Sequence, residues 1–353
     1  MLPNVRPSRR SLSAKQEKKC LFIAWSREVQ LSSNLANALG AELHQVYRSR
    51  ADRVLIARAL SYLIQSVSTI RILLTKKPKV VLVQNPPVFA ALIVWFYARF
   101  ATAKFSIDSH TSAFLDKRWI MFHWLFRWVA RRAAVNTCHN YKNLEVLRSW
   151  GIEPAMVMQF CNPTYNPGEL NEQLVDKRLH QAVVAAELPI MMVNNFAVDD
   201  DLKTVLGTAR IMPEATFFVT GDKKAAKLDE TTIPQNIVLT NHLAHKEFLK
   251  LMNRCKVILA LTLRLDTVLW SPREAMALEK PFVTTDSEVQ RHYYGGIGLF
   301  AGSDPEEVKK RIYEALDKQE EIKDRERQFL IKDKKRLEEE IETVKRLLRL
   351  DHV

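Results

Sequence analysis

At 353 residues, 47% of them hydrophobic and 26% charged, the chain is long enough for two domains of ordinary size and too apolar to be disordered. A formal net charge of +13 implies an anionic partner: nucleic acid, an acidic membrane surface or a phosphorylated substrate. No apolar run reaches the roughly 18 residues of a membrane span, no signal-peptide core opens the chain, and Cys20, Cys138, Cys161 and Cys255 lack any zinc spacing. These features predict a cytoplasmic protein, soluble or peripheral to a membrane, with reduced and mostly buried thiols.

Residues 1–18 carry Pro3, Pro7, Arg9 and Arg10 without an apolar period and are predicted as a disordered basic tail. Cys20–Trp25 reads as a first strand, Ser32–Asn34 as the start of a helix that stops near Gly40, and Glu42–Val46 as a second strand. Residues 52–75 are expected as a long helix, Val80–Gln84 as a buried strand, Val88–Phe100 as a helix, Lys104–Ile107 as a strand and 116–133 as another helix. Val135–Asn140 closes this series as a strand, followed by a helix over Tyr141–Trp150. Alternating strands and helices predict a doubly wound parallel sheet, which binds ligands at the carboxyl ends of its strands.

Two loops fall at such ends. One is Gln84-Asn85-Pro86-Pro87 and the other runs from Asp108 to Phe114. Either Asp108 or His110 can serve as a base or hold a transferred group, while Asn85 and the prolines equally read as shaping their loop. The segment Lys117–Arg132 holds Trp119, Trp124 and Trp128 together with Lys117, Arg118, Arg127, Arg131 and Arg132. Aromatic rings and cations suit the headgroup layer of an anionic membrane; an ordinary amphipathic helix with core aromatics is the other reading. The expectation is a mixture, with one apolar face inward and the basic residues outward. No RNA-binding motif accompanies them, so nucleic acid is not the expected partner.

Residues 161–185, with a turn-rich stretch from Asn162 to Gly168 and then a polar helix, are expected as the crossover to a second domain. Strands are predicted at Leu188–Asn195, Ala215–Gly221, Asn236–Thr240, Lys256–Thr262 and Pro281–Thr285, with a helix over Lys246–Arg254. Asp199-Asp200-Asp201 precedes a helix and reads as capping rather than metal binding. Asp266 and Glu274 flank Ser271-Pro272-Arg273, which reads as a helix start with Ser271 at the cap, a place that favours phosphate. Gly295–Phe300 is a loop and short strand, and Asp304–Lys318 a capped helix. The last 35 residues are predicted helical, with an apolar stripe at Phe329, Leu337, Ile341, Val344, Leu347 and Leu348. That helix either returns to the first domain or makes a coiled-coil homodimer contact.

Asp266, seven residues, Glu274-Ala275-Met276-Ala277 and Lys280-Pro281 together resemble the E-x7-E signature of GT-B glycosyltransferases of family four. Gln84–Pro87 and Ile107-Asp108-Ser109-His110 resemble elements of the chitobiosyl-diphosphodolichol β-mannosyltransferases and their bacterial relatives. The resemblance implies an α/β GT-B fold, two Rossmann-like doubly wound domains facing a cleft, with a long C-terminal helix. On that plan 19–170 binds the acceptor, 171–318 binds a nucleotide sugar, and 319–353 is the terminal helix. It also implies a metal-independent hexosyltransferase without cofactor, moving a sugar from a nucleoside-diphosphate sugar to a polyprenyl-linked or polysaccharide acceptor at the cytoplasmic membrane face.

By the same resemblance Asp266 lies beside the donor sugar, the loop through Thr267 and Ser271 meets the diphosphate, and Glu274 holds the ribose hydroxyls. Arg273 and Lys223, the latter on the loop that Gly221 opens, are the candidate cations for the leaving diphosphate. His110 and Asp108 belong to catalysis on the acceptor side, with Asn85, Trp119, Arg127 and Arg131 toward acceptor or membrane. The chain departs from the family pattern at Asp266, usually Glu, and at Thr267, usually Gly. A shorter acid reaches differently, and a β-branched residue restricts the backbone. A nucleotide-sugar epimerase and an inert accessory subunit are the alternatives, and the two halves of the resemblance imply opposite stereochemistry.

Overall fold

The computed structural model describes residues 20–27, 30–48, 55–158, 167–222 and 232–350. The expected basic tail, Cys161, Lys223 and Lys224 lie outside them. Two compact units form, one from Met1–Thr137, Gly151–Pro154 and Thr343–Val353, the other from Cys138–Trp150 and Ala155–Glu342. The sequence reading drew boundaries near residues 18, 170 and 318; by contact the chain enters and leaves the first unit more than once, and residues 343–353 belong to it.

The first sheet holds β1 (Cys20–Ala24), β2 (Glu42–Gln45), β3 (Val80–Asn85), β4 (Lys104–Ser109), β5 (Val135–Cys138) and β6 (Ala155–Val157), in the order β2-β1-β3-β4-β5-β6. Leu21–Ala24 and Val81–Val83 are buried almost completely, as in a parallel sheet covered on both faces. The strand β6, three residues long, escaped the sequence reading. Flanking helices are α1 (Gln30–Ala38), α2 (Leu55–Lys76) and α3 (Val88–Ala101).

The single helix expected over 116–133 is three short ones: α4 (Ser112–Leu115), α5 (Lys117–Ile120) and α6 (His123–Ala130). Asp116 caps α5 by accepting from the Arg118 N–H at 2.9 Å, which restarts the helix there. Phe122 then leaves helical backbone (φ −103°, ψ 11°) and packs edge-on against Phe89, with ring centroids 5.0 Å apart.

In the second unit the elements run α7 (Tyr141–Ser149), α8 (Pro167–Leu170), α9 (Lys177–Ala185), β7 (Leu188–Met192), α10 (Leu202–Ile211), β8 (Ala215–Val219) and β9 (Ile237–Leu239). They continue with α11 (His245–Arg254), β10 (Val257–Ala260), α12 (Ser271–Ala277), β11 (Phe282–Thr285), α13 (Glu288–Tyr294), β12 (Leu299–Ala301), α14 (Pro305–Asp317) and α15 (Gln319–Leu348). The parallel sheet has the order β12-β11-β10-β7-β8-β9. Successive residues of each strand feed opposite cores: Met191, Phe218 and Ile258 one, Met192, Phe217 and Leu259 the other.

Leu337, Val344 and Leu348 of α15 are buried, and the carbonyl of Leu347 accepts from Lys104 Nζ at 2.9 Å. Half of the expected apolar stripe is therefore covered by the chain itself, while Phe329, Ile341 and Leu347 are only partly buried. Among the described residues no helix is long and apolar enough to cross a membrane.

Candidate functional site

In a doubly wound sheet, ligands bind where strand order reverses, because the loops there leave in opposite directions and open a crevice. In the second sheet that point lies between β7 and β10, so the loops following those strands are the ones to examine. The two loops are tied together. Leu263 N donates to Asp199 O at 2.7 Å and Thr262 Oγ1 to the same carbonyl at 2.9 Å.

The run of acids after β7 is spent on backbone. Asp201 caps α10 through the Thr204 N–H at 3.3 Å, and Asp200 accepts from Asn195 N and Ala197 N at 2.9 and 3.0 Å. Asp199 faces Arg264 at 3.4 Å. Gly221 adds a third loop to this end of the sheet. Its φ is +108°, and a Cβ there would lie 2.8 Å from the Asn194 carbonyl oxygen, so the close approach of two loops requires glycine.

The loop after β10 carries the acids singled out by sequence. Asp266 is half-buried; its carboxylate takes an ion pair from Lys142 Nζ at 2.8 Å, and its carbonyl accepts from Asn140 Nδ2 at 3.0 Å. Lys142 also reaches Glu288 at 3.1 Å. Hydrogen bonds to Asp266 and then Glu288 hold its ammonium above the ordinary lysine range. Sequence reasoning missed Lys142, since nothing links it locally to an acid 124 residues away. The Asn140 cap of α7 fixes it there, accepting from Asn143 N at 2.8 Å.

Thr267 presents a carbonyl that accepts from Gln290 Nε2 at 3.2 Å, and its Oγ1 is buried without a hydrogen-bond partner among the described residues. Ser271 is the first residue of α12 rather than its cap; Trp270 occupies that position and makes no side-chain cap bond. Ser271 is buried, so its hydroxyl is not the exposed cap the sequence implied.

Glu274 lies on α12 with little exposure, and its Oε1 is 2.9 Å from His245 Nε2 at the start of α11. That hydrogen bond raises the His245 pKa against the opposing effect of burial. The pair was not foreseen; His242, three residues before His245, is exposed.

Arg273 departs most from expectation. It is fully buried and ion-paired to Asp333 of α15, which also bonds Arg336 at 2.7 Å. One turn of helix carries Glu274 to one partner and Arg273 to another, so the guanidinium expected at a diphosphate is committed to anchoring α15. Lys223 lies outside the described residues.

In the first unit the order reverses between β1 and β3, which places Asn85 at the equivalent point. Asn85 Nδ2 bonds Ser109 Oγ at 3.4 Å, and its carbonyl accepts from His110 N at 2.8 Å. Asp108 is 2% exposed and accepts from Thr137 Oγ1 at 2.7 Å, with His110 Nε2 3.4 Å from its other oxygen. Asp108 is thus buried beside His110, which is partly exposed. Trp119 is half-buried and packs at tilted and edge-on angles against Tyr62, Phe89 and Phe122, whereas Trp124, Arg127 and Arg131 face solvent.

The chain matches no protein-family model and no curated protein. Among solved structures it is similar to a glycosyltransferase from Rickettsia africae, with a TM-score of 0.65 and 10% identity over 94% of this chain and 99% of that one. It is similar to HepE of Anabaena, solved with UDP and glucose, with a TM-score of 0.65 and 12% identity over 87% and 92%. A UDP-GlcNAc 2-epimerase from Methanocaldococcus jannaschii follows, with a TM-score of 0.53 and 14% identity over 83% and 91%. At such identities the likeness establishes the fold. Two parallel six-stranded sheets, each flanked by helices, and a long terminal helix give this chain the GT-B fold of two Rossmann-like domains.

Proposed function

We propose that the chain is a glycosyltransferase that takes a sugar from a nucleoside-diphosphate sugar. The observation that carries this reading is the placement of Asp266 and Glu274 on the one loop and helix that leave the second sheet where its strand order reverses. The fold match over nearly the whole of a glycosyltransferase chain, and of HepE, solved with UDP and glucose, supports it.

In this reading Glu274 accepts the ribose hydroxyls and Asp266 stands beside the donor sugar. The charge developing on the leaving diphosphate needs preorganised donors. With Arg273 committed to Asp333, Lys142 takes that place, supported by the N–H groups of the loop through Thr267 and Ser271. His110, oriented by Asp108, acts on an acceptor carried by a lipid or a polysaccharide. The basic outer side of Lys117–Arg132, with Arg127 and Arg131, holds the enzyme to an anionic membrane.

The reading is tested by release of nucleoside diphosphate from UDP- and GDP-sugars in the presence of a lipid-extract acceptor. Turnover that falls by at least about tenfold in Asp266→Asn supports it. Equal rates with and without the Asp266 carboxylate would count against a role at the sugar.

A further inference from the structure

The helix α2 is built inside out. Its buried positions are Ser61, Gln65, Thr69 and Leu73, and Thr69 Oγ1 accepts from Trp25 Nε1 at 2.8 Å while Gln65 Nε2 donates to Ser61 Oγ at 3.1 Å. Its exposed row is Leu63, Val67, Ile70 and Leu74, between 42% and 61% accessible, at the three- and four-residue spacing of one helical face. Hydrogen bonds engage Thr69, Ser61 and the Gln65 amide nitrogen of the polar inner row, while the outer row leaves an apolar stripe in water.

The stripe does not stand alone. Between α2 and α3 runs a groove of about 410 Å³ lined only by apolar and aromatic side chains, among them Leu73, Leu74, Phe96 and Phe100. Phe96 and Phe100 are 47% and 84% exposed. On the far side of α3, Trp95 contacts both Phe96 and Trp128 of α6 with ring centroids 4.6 Å apart, which carries the apolar surface on to the exposed Trp124. A patch this long on a water-facing surface marks an interaction site.

Charge selects the occupant. From Leu55 to Arg132 the chain has twelve Lys and Arg and only two acids. Asp108 is buried, and Asp116 is engaged by Arg118 at 2.7 Å. Arg71, Lys77, Lys79 and Arg99 are exposed beside the apolar row. A second copy meeting this face about a two-fold axis would set these cations against their own images. An anionic bilayer offers the complementary arrangement, phosphates at the cations and hydrocarbon at the apolar row.

We propose that the α2–α3 face docks on an anionic phospholipid bilayer, with the groove between the two helices holding one hydrocarbon chain. The inference deepens the membrane-borne acceptor of the proposed function and rests on it. It also shifts the main contact from the Trp-rich segment to α2 and α3.

The test is co-sedimentation of the full chain with phosphatidylcholine vesicles, with and without phosphatidylglycerol. The triple variant Leu63→Ser, Leu74→Ser, Phe100→Ser alters exposed side chains only. The expected result is binding to the phosphatidylglycerol vesicles, weakened by salt, and a loss of at least about tenfold in the variant. A second variant, Arg71→Glu with Arg99→Glu, loses binding to the anionic vesicles in the same way. Absence of binding by the native chain, equal binding by the variants, or a native dimer that the triple variant dissociates each overturns the proposal. A nucleotide-induced rise in melting temperature, read on the same samples, separates the two ideas. If the rise is present without vesicle binding, docking fails and the donor site stands; vesicle binding without the rise strikes the transferase reading instead.

Discussion

His245 Nε2 lies 2.9 Å from Glu274 Oε1, joining the first residue of α11 to the acid of α12. The imidazolium is favoured by that carboxylate, so the pair holds its proton to a higher pH than a free histidine does. A group whose folded pKa is raised adds stability that is complete below the unfolded value, near 6.5, and is lost as pH rises through the folded one. Melting temperatures of native protein and Glu274→Gln should therefore converge as pH rises above that range. Nucleotide binding should weaken in Glu274→Gln at every pH, since the carboxylate is also the proposed ribose ligand.

Removing one partner of the Arg273–Asp333 pair leaves a buried charge uncompensated. Asp333→Ala should cost about 3–5 kcal/mol in urea unfolding, the range for breaking a buried ion pair. Arg273→Met combined with Asp333→Leu should recover much of that loss, because the cost is desolvation of an unpaired charge. A loss of activity without loss of stability in Arg273→Met would instead return this residue to the diphosphate.

Glu326 is buried completely, and burial, with Glu279 nearby, pushes its carboxyl up to about 8. Folding therefore takes up a proton between about pH 4.3, the free glutamate value, and the raised one. Stability falls as pH climbs through that window and the acid must ionise inside the protein. Glu326→Gln should flatten the decline in melting temperature between about pH 5 and pH 8; an unchanged slope would mean the decline arises elsewhere.

Lys142 touches both Asp266 and Glu288. Charge-assisted hydrogen bonds contribute about 1.5–3 kcal/mol, so Lys142→Gln should lower kcat/KM for the nucleotide sugar by roughly tenfold to a hundredfold. The double variant Lys142→Gln, Asp266→Asn should lose little beyond the worse single one, because the residues act as a unit.

The strands were legible because a sheet covered on both faces demands continuous apolar runs such as Leu21–Ala24 and Val81–Val83. The three-residue β6 offers too little pattern, and its start follows Pro154. The break at Phe122 was hidden because packing on Phe89, not helical preference, decides it. Asp266 and Glu274 were readable as a spacing on one segment. Their partners Lys142 and His245 were not, nor was Asp333, the partner of Arg273; all three come from elements brought together by the fold alone. The inverted α2 shows the same limit, since periodicity reveals an apolar face but not which way it points.

Thermal stabilisation by a panel of nucleoside diphosphates and nucleotide sugars decides whether the crevice beside β10 binds a nucleotide. A ligand at a hundred times its dissociation constant adds about 2.7 kcal/mol to the folded state. The account predicts a rise of several degrees with one base, abolished in Glu274→Ala and kept in His242→Ala. No rise with any nucleotide, or one that survives Glu274→Ala unchanged, would contradict it.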